Sequence, residues 1–390
     1  MDKNFCGETV LVRVDFNVPL NEDCEITDDS RIQSSLPTIN KLINDGAKVI
    51  LISHLGRPNK KEAKFSLIHL LNNLKKNLRT NVFFSKDCIG SNVLSKVKDL
   101  QNGEILLLEN LRFYKEEQSG SRSFSKQLAN LANYYVNDAF GTAHRSHSST
   151  FLVPQFFENK KFLGLLLQKE VDSLKTVLSS PKKPFTAIIG GAKISSKIDV
   201  LFSLLNKVDS LIIGGGMVYT FIKSMGGNIG SSLVEEDKLG VALEIIEKAK
   251  SLGVKLLLPI DSINAKEFNN DSDIELSDIR SINSNYMGLD IGKETVDLFS
   301  KEIKRSKTII WNGPMGVFEM NNFQNGTKKI GEAVADATKS GAFSLVGGGD
   351  SAAAIKMFNL ESKISYLSTG GGALLESLKG DDLPAIKALS

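Results

Sequence analysis

Short apolar runs rich in β-branched residues recur along the chain between stretches of helical periodicity. In the first half they are "VLVRVDF" (10–16), "AKVILIS" (47–53), "NVFFS" (81–85), "EILLLEN" (104–110) and "YYVNDAF" (134–140). In the second they are "FTAIIGG" (185–191), "SLIIGGG" (210–216), "KLLLPID" (255–261), "TIIWNG" (308–313), "FSLVGGG" (343–349) and "ISYLSTGGG" (364–372). Runs this apolar predict strands buried on both faces, and their alternation with helices predicts parallel sheets covered by helices. The first run breaks the pattern. In "VLVRVDFNVP" (10–19), Arg13, Asp15 and Asn17 occupy every second position and so share one face of a strand. An edge strand with one face in water is the plain reading of that segment.

The stretch "KKFLGLLLQKEVDSLKTVLSS" (160–180) carries Phe162, Leu163, Leu166, Leu167, Val171, Leu174 and Leu178 at helical spacing, and "PKKP" (181–184) ends it. This predicts a connecting helix between two α/β domains, in keeping with a length of 390 residues. The expected division is 1–160 with a C-terminal tail 376–390, a connector at 161–184, and 185–375.

Composition narrows the class. Hydrophobic residues make up 41% and charged residues 24%, and 48 basic against 45 acidic side chains leave a formal charge of +3. That near-balance argues against a nucleic-acid or membrane-surface binder. Cys6, Cys24 and Cys88 form neither a disulfide framework nor a C-x-x-C motif. The start "MDKNFCGETV" has no signal-peptide character, and no run approaches a membrane span. A reduced, cytoplasmic enzyme is expected.

Open parallel sheets bind ligands beyond the carboxyl ends of their strands, and the two halves end their strands differently. The first half supplies Arg13, Asp15 and Asn17, then His54 and Arg57 from "SHLGRP", Arg112 from "ENLRF", and Asp138, His144, Arg145 and His147 from "NDAFGTAHRSHSS"; Arg31 opens the next helical run. A planar guanidinium fork suits carboxylate and phosphate oxygens. The set reads as a site for a small, multiply anionic molecule, with Asp15 and Asn17 placed to meet its hydroxyl. The second half ends in "GGAK" (190–193), "GGGM" (214–217), "NGPMG" (312–316), "GGGDS" (347–351) and "TGGGA" (369–373). Glycine lets backbone approach a ligand closely, and a following helix offers free N–H groups to anions. Five such loops imply phosphates and a nucleotide.

Neither common nucleotide motif accounts for this. GxxxxGK[ST] is absent, and "GLDIGKE" (288–294) misses its spacing. "GGGDSA" satisfies G-x-G-x-x-A through Gly347, Gly349 and Ala352, but the acid expected about 20 residues on is missing, because that strand end reads Ser368, Thr369, Gly370. A NAD-dependent dehydrogenase and a two-lobed anion-binding protein without catalysis stay open as alternatives at this level.

The strings "VLVRVDFNVP", "SHLGRP", "ENLRF", "NDAFGTAHR", "GGAK", "GGGM", "WNGPMGVFE", "GGGD" and "STGGGA" resemble the phosphoglycerate kinase family, in its order and from residue 10 to residue 373. The resemblance implies two doubly wound, Rossmann-like α/β domains facing across a hinge cleft. It implies reversible phosphoryl transfer between 1,3-bisphosphoglycerate and MgADP, giving 3-phosphoglycerate and MgATP, in a monomer with no nucleic-acid or membrane partner. Carried onto this chain, the acceptor site is Asp15, Phe16, Asn17, Arg31, His54, Leu55, Gly56, Arg57, Arg112 and Arg145. The nucleotide site is Lys193, Lys197, Gly214, Gly215, Gly288, Asn312, Pro314, Glu319, Gly347, Gly348, Gly349, Asp350, Ser351, Gly371 and Gly372. Arg31, Lys193 and Lys197 take the catalytic roles and Asp350 the Mg²⁺. The tail "LPAIKALS" (383–390) resembles the family's returning C-terminal segment.

Three positions depart from the family's usual pattern: Ser196 replaces an Asp, Ser351 replaces a Thr, and Leu374 replaces a Ser after "TGGGA". The acceptor is already a carboxylate, so direct in-line transfer needs positioning and charge stabilisation rather than a general base.

Overall fold

Val10, Val12 and Val14 face one apolar cluster, while Leu11, between them, faces another. A strand covered on both sides is interior, and the first strand lies at the centre of its sheet. The structure is a computed structural model that describes residues 1–390 except Asp2 and Asp381. The chain forms two compact units, Met1–Asp172 with Asp382–Ser390, and Ser173–Asp381.

The first unit is built on β1 (Thr9–Val14), β2 (Lys48–Ile52), β3 (Val82–Phe84), β4 (Ile105–Leu107), β5 (Tyr134–Asp138) and β6 (Lys161–Leu163), all parallel, in the order β3-β4-β2-β1-β5-β6. The order reverses at β1, which pairs β2 on one side and β5 on the other. A crevice beyond the carboxyl ends of β1 and β5 follows from that reversal.

The second unit contains β7 (Phe185–Ile189), β8 (Ser210–Ile213), β9 (Asn228–Ile229), β10 (Lys255–Leu257), β11 (Asp261–Ala265), β12 (Ile274–Asp278), β13 (Ser281–Ile282), β14 (Met287–Ile291), β15 (Thr308–Asn312), β16 (Phe343–Val346) and β17 (Tyr366–Leu367). Its main sheet is parallel in the order β10-β8-β7-β15-β16-β17, so the reversal falls between β7 and β15. The loops "GGAK" and "NGPMG" follow those two strands. Ile188, Ile212, Ile309, Trp311 and Val346 form the core of one face.

Several expectations change. The run at 10–16 ends as a strand at Val14, so Asp15 and Asn17 lie in the loop beyond it rather than on a strand face. The edge-strand reading fails because Arg13 is buried to 1% exposure between β2 and β5. The helix expected over 160–180 spans only Leu165–Leu178, since Lys161–Leu163 pairs with β5 as a sixth strand. The unit boundary falls inside that helix. Helix Gly371–Lys379 stays with the second unit, and the return to the first begins at Asp382. There Ala385 N donates to Ala143 O at 3.1 Å, and Lys161 Nζ to Ala388 O at 2.9 Å. The sheet β12-β11-β14 is antiparallel and has no counterpart among the expected strands, although "IELSD" (274–278) and "MGLDI" (287–291) alternate apolar with polar or small residues. Among the described residues, no helix is long and apolar enough to cross a membrane.

Candidate functional site

Beyond β1, the chain turns so that Asp15 meets Arg31 in an ion pair and Asn17 Oδ1 accepts from Gly56 N at 2.7 Å. Phe16 N donates to Ser53 Oγ at 2.9 Å, tying this turn to the end of β2. Arg31 comes from the first turn of helix Ser30–Asn44. Gly141, beyond β5, leaves the room this needs: a Cβ there would lie 2.4 Å from Asp15 Oδ2 and 3.5 Å from Arg31 Nη1.

The loop after β2 is held from β4. Asn110 is fully buried; its Oδ1 accepts from Leu55 N and Arg112 N, and its Nδ2 donates to Leu55 O and Phe65 O. Arg112 itself donates to Gly56 O. These bonds fix His54, Leu55, Gly56 and Arg112 as one piece. Arg57 is exposed and Arg145 half-buried at its rim.

Arg13 is the buried base of this cluster. Its Nε donates to Ser149 Oγ at 2.9 Å, and Nη2 lies 3.2 Å from His54 Nδ1. Burial, then Arg13, Arg112, Arg145 and Arg31, push the His54 pKa well below its ordinary value. The imidazole is therefore neutral. Facing a guanidinium that can only donate, Nδ1 accepts, and the proton sits on Nε2. The 3.8 Å approach of His54 to Asp15 is accordingly no ion pair.

Arg112 is pushed down to about 10, first by burial and then by Arg145, Arg13 and Arg57. His147 falls to about 4 from burial, then from Arg145, Arg13, Arg112 and His144. Such mutual repulsion marks a concentration of positive charge that an anion would relieve. Arg112 Nε is also buried without a hydrogen-bond partner.

In the second unit, two loops touch backbone to backbone. A Cβ on Gly190 would meet Pro314 O at 2.1 Å, and one on Gly313 would meet Gly190 O at 2.2 Å. Gly214 is filled over by Met315 Sδ, and Gly215, with φ +68°, packs on Gly191. These glycines are required by packing, whatever else they do.

Asn312, at the end of β15, organises the rest. Its Oδ1 accepts from Lys197 Nζ, and its Nδ2 donates to Gly347 O at 2.7 Å. Ser351 is fully buried and its Oγ accepts from Gly313 N at 2.6 Å, so it uses the hydroxyl that Thr would bring. Burial pushes the Lys197 pKa down, against an opposing pull from Asp350. Asp350 is exposed in the first turn of helix Gly349–Met357. Helix Gly371–Lys379 begins beside it: a Cβ on Gly371 would stand 3.6 Å from Gly349 N. Two helix N-termini thus abut, and nothing lies within 4 Å of the side-chain direction of Gly349.

Lys193 is exposed near Glu235, whose carboxyl accepts from Ser195 N at 3.0 Å; Ser196 Oγ donates to Lys193 O at 2.9 Å. Gly288 and Glu319 have no hydrogen bond to these loops among the described residues. Gly288 lies in β14 against the Tyr219 hydroxyl, with its N bonded to Ser232 Oγ at 2.9 Å, and Glu319 is exposed.

Among the described residues, no group of three His, Cys, Asp or Glu could hold a metal ion. Asp350 offers one carboxylate. Mg²⁺ commonly takes one or two carboxylates and completes its shell with phosphates and water, so the donor set fits a metal that arrives with a nucleotide.

Sequence reasoning overlooked Gly141, Asn110, Glu117 and Ser149. The first two lie inside motif strings already noted, "NDAFGTAHR" and "ENLRF". Ser149 ends the string "NDAFGTAHRSHSS", and like Glu117 it is brought to Arg13 only by packing.

The chain matches the phosphoglycerate kinase family over residues 1–381. It is 48% identical to the phosphoglycerate kinase of Porphyromonas gingivalis, across 99% of this chain and 98% of that one. It is 51% identical to that of Chloroherpeton thalassium, across 100% and 98%. Its fold superposes on the phosphoglycerate kinase structure from Coxiella burnetii with a TM-score of 0.88 at 41% identity, covering 100% of this chain and 97% of the other. The Pyrococcus horikoshii enzyme gives 0.86 at 31%, with the same coverage. These matches leave no place for the dehydrogenase or non-catalytic alternatives as the family of origin: the chain belongs to the phosphoglycerate kinase family.

Proposed function

We propose that the first unit binds 3-phosphoglycerate or 1,3-bisphosphoglycerate in its arginine cluster, and that the second binds MgADP or MgATP at its glycine loops. As a member of this family the chain is a kinase, transferring a phosphoryl group reversibly between 1,3-bisphosphoglycerate and ADP. The observation that carries the division of labour is the pair of abutting helix N-termini, at Gly349 and Gly371, in the same unit as a partly buried Lys197. Free N–H groups and a lysine ammonium converging there would stabilise negative charge on a transferring phosphoryl group.

On the acceptor side, neutral His54 offers Nε2–H. Asn17 has used Oδ1 on Gly56, which leaves its amide N–H groups to donate. Arg57, Arg112 and Arg145 supply guanidinium forks for the substrate's phosphate and carboxylate. Arg31, held by Asp15, keeps donors to spare for the reacting end. The attacking atom is a carboxylate oxygen already free of its proton, so no side chain has to act as a base. In-line transfer then rests on positioning and on charge stabilisation by Lys197, Arg31 and the glycine N–H groups. When bound with the nucleotide, Mg²⁺ held by Asp350 would neutralise phosphate charge.

The test is ADP release from MgATP with and without 3-phosphoglycerate. Release that requires 3-phosphoglycerate and falls by at least about 100-fold in Arg31→Ala is expected. Release indifferent to both overturns the assignment. Each unit holds one reactant in this reading, so solution scattering should show compaction with both substrates present and not with either alone.

A further inference from the structure

Leu374 stands where the family resemblance leads one to expect a serine, and it is fully buried. It lies in the first turn of helix Gly371–Lys379, with its N donating to Gly370 O at 2.7 Å. Its side chain occupies the space over Gly347: a Cβ on Gly347 would lie 2.2 Å from Leu374 Cδ2, and next nearest 3.1 Å from Ser368 Cβ. Gly347 has no positive φ, so its lack of a side chain is a matter of room and not of backbone conformation.

Gly347 is also the residue whose carbonyl accepts from Asn312 Nδ2 at 2.7 Å, and the other end of that amide holds Lys197. An unbroken line of contacts therefore runs from Leu374 through Gly347 and Asn312 to the lysine ammonium. The same leucine sets how closely the helix starting at Gly371 approaches the loop starting at Gly347. Close-packed interiors transmit such displacements rather than absorbing them.

We propose that Leu374 is a positioning residue for phosphoryl transfer. By filling the space above Gly347, it fixes the carbonyl that orients Asn312 and, through it, Lys197. The inference rests on the reading of Lys197 as the phosphoryl-stabilising lysine. Leu374 and Gly347 form a matched large–small pair, so removing bulk on one side and adding it on the other should compensate.

The experiment is steady-state kinetics, run in the ATP-consuming direction with 3-phosphoglycerate, on Leu374→Ala, Leu374→Met, Gly347→Ala, Leu374→Ala/Gly347→Ala and Lys197→Ala. Each is assayed below its own melting temperature. Leu374→Ala should lower kcat by about 10-fold or more, with KM for 3-phosphoglycerate unchanged, since that site lies in the other unit. Leu374→Met, close to the same volume, should restore most of the rate. Gly347→Ala alone should be severely impaired, and the double variant should exceed it by about 10-fold, the signature of direct coupling. A Leu374→Ala enzyme with wild-type kcat, or a double variant no better than Gly347→Ala, overturns the inference. Lys197→Ala separates the two levels: if it retains full turnover, the reading of Lys197 has failed. If it loses turnover while the leucine variants do not, only the role of Leu374 has.

Discussion

Arg13 and Ser149 meet at 2.9 Å, with the guanidinium Nε donating to the hydroxyl, and that hydroxyl in turn donates to Glu117 Oε1 at 2.6 Å. A serine thus relays a buried cation to a buried carboxylate, which also accepts Ser149 N at 2.9 Å. Arg13 also makes the contact with His54 that fixes its tautomer. One side chain therefore anchors the arginine–histidine cluster beyond β1 without facing the solvent.

Replacing Arg13 with Met keeps the bulk but leaves Ser149, His54 and Glu117 without their cation. Burial already pushes the Glu117 pKa up. The loss should be about 3 kcal/mol of stability. Urea unfolding checks it: the midpoint should fall with the slope unchanged.

Gly141→Ala places a methyl 2.4 Å from Asp15 Oδ2 and 3.5 Å from Arg31 Nη1. The Asp15–Arg31 pair has to move. Affinity for 3-phosphoglycerate should drop by about 10-fold or more, while ADP affinity holds. Isothermal titration with each ligand in turn separates these outcomes.

Asp138 is buried at the end of β5, with Oδ1 accepting from Leu167 N at 3.1 Å. Burial raises its pKa to about 6, against the pull of the Thr38 hydroxyl and the Leu167 and Leu166 amides. A carboxyl whose folded value exceeds its unfolded value near 3.9 contributes stability that is fully present below about pH 4 and is lost as pH rises through about 6. The loss is of order 3 kcal/mol. Asp138→Asn keeps an acceptor for the Leu167 amide and cannot ionise. The stability difference between wild type and Asp138→Asn should therefore change in the variant's favour between pH 4 and pH 7, and then level off. Denaturation at several pH values measures this, and a flat difference would contradict it.

Gly313 has φ +98°, and a Cβ there would stand 2.2 Å from Gly190 O, a backbone atom that cannot swing away. Gly313→Ala should cost at least about 2 kcal/mol and weaken nucleotide binding by separating the loops after β7 and β15. A variant that melts and binds ADP like wild type would show that the loops part freely.

The sequence alone determined the architecture and the chemical division of this chain. Strongly apolar, β-branched runs between helical stretches dictate parallel sheets, because only a strand buried on both faces tolerates such composition. Arginine and histidine after one set of strands, and glycine after the other, state which chemistry each sheet edge can support. Those are local properties: period, side-chain type and backbone freedom. Tertiary structure decided what local pattern cannot express. It made β1 central instead of an edge, since burial of Arg13 depends on Ser149, which lies 136 residues away. It drew Lys161–Leu163 out of an apparent helix, because pairing with β5 outweighs helical periodicity in a short segment. It also showed that Gly190, Gly214 and Gly313 are demanded by packing, whereas Gly349 opens to the space where a ligand would lie. A glycine reads the same in either case; only the atoms that the rest of the fold brings around it distinguish them.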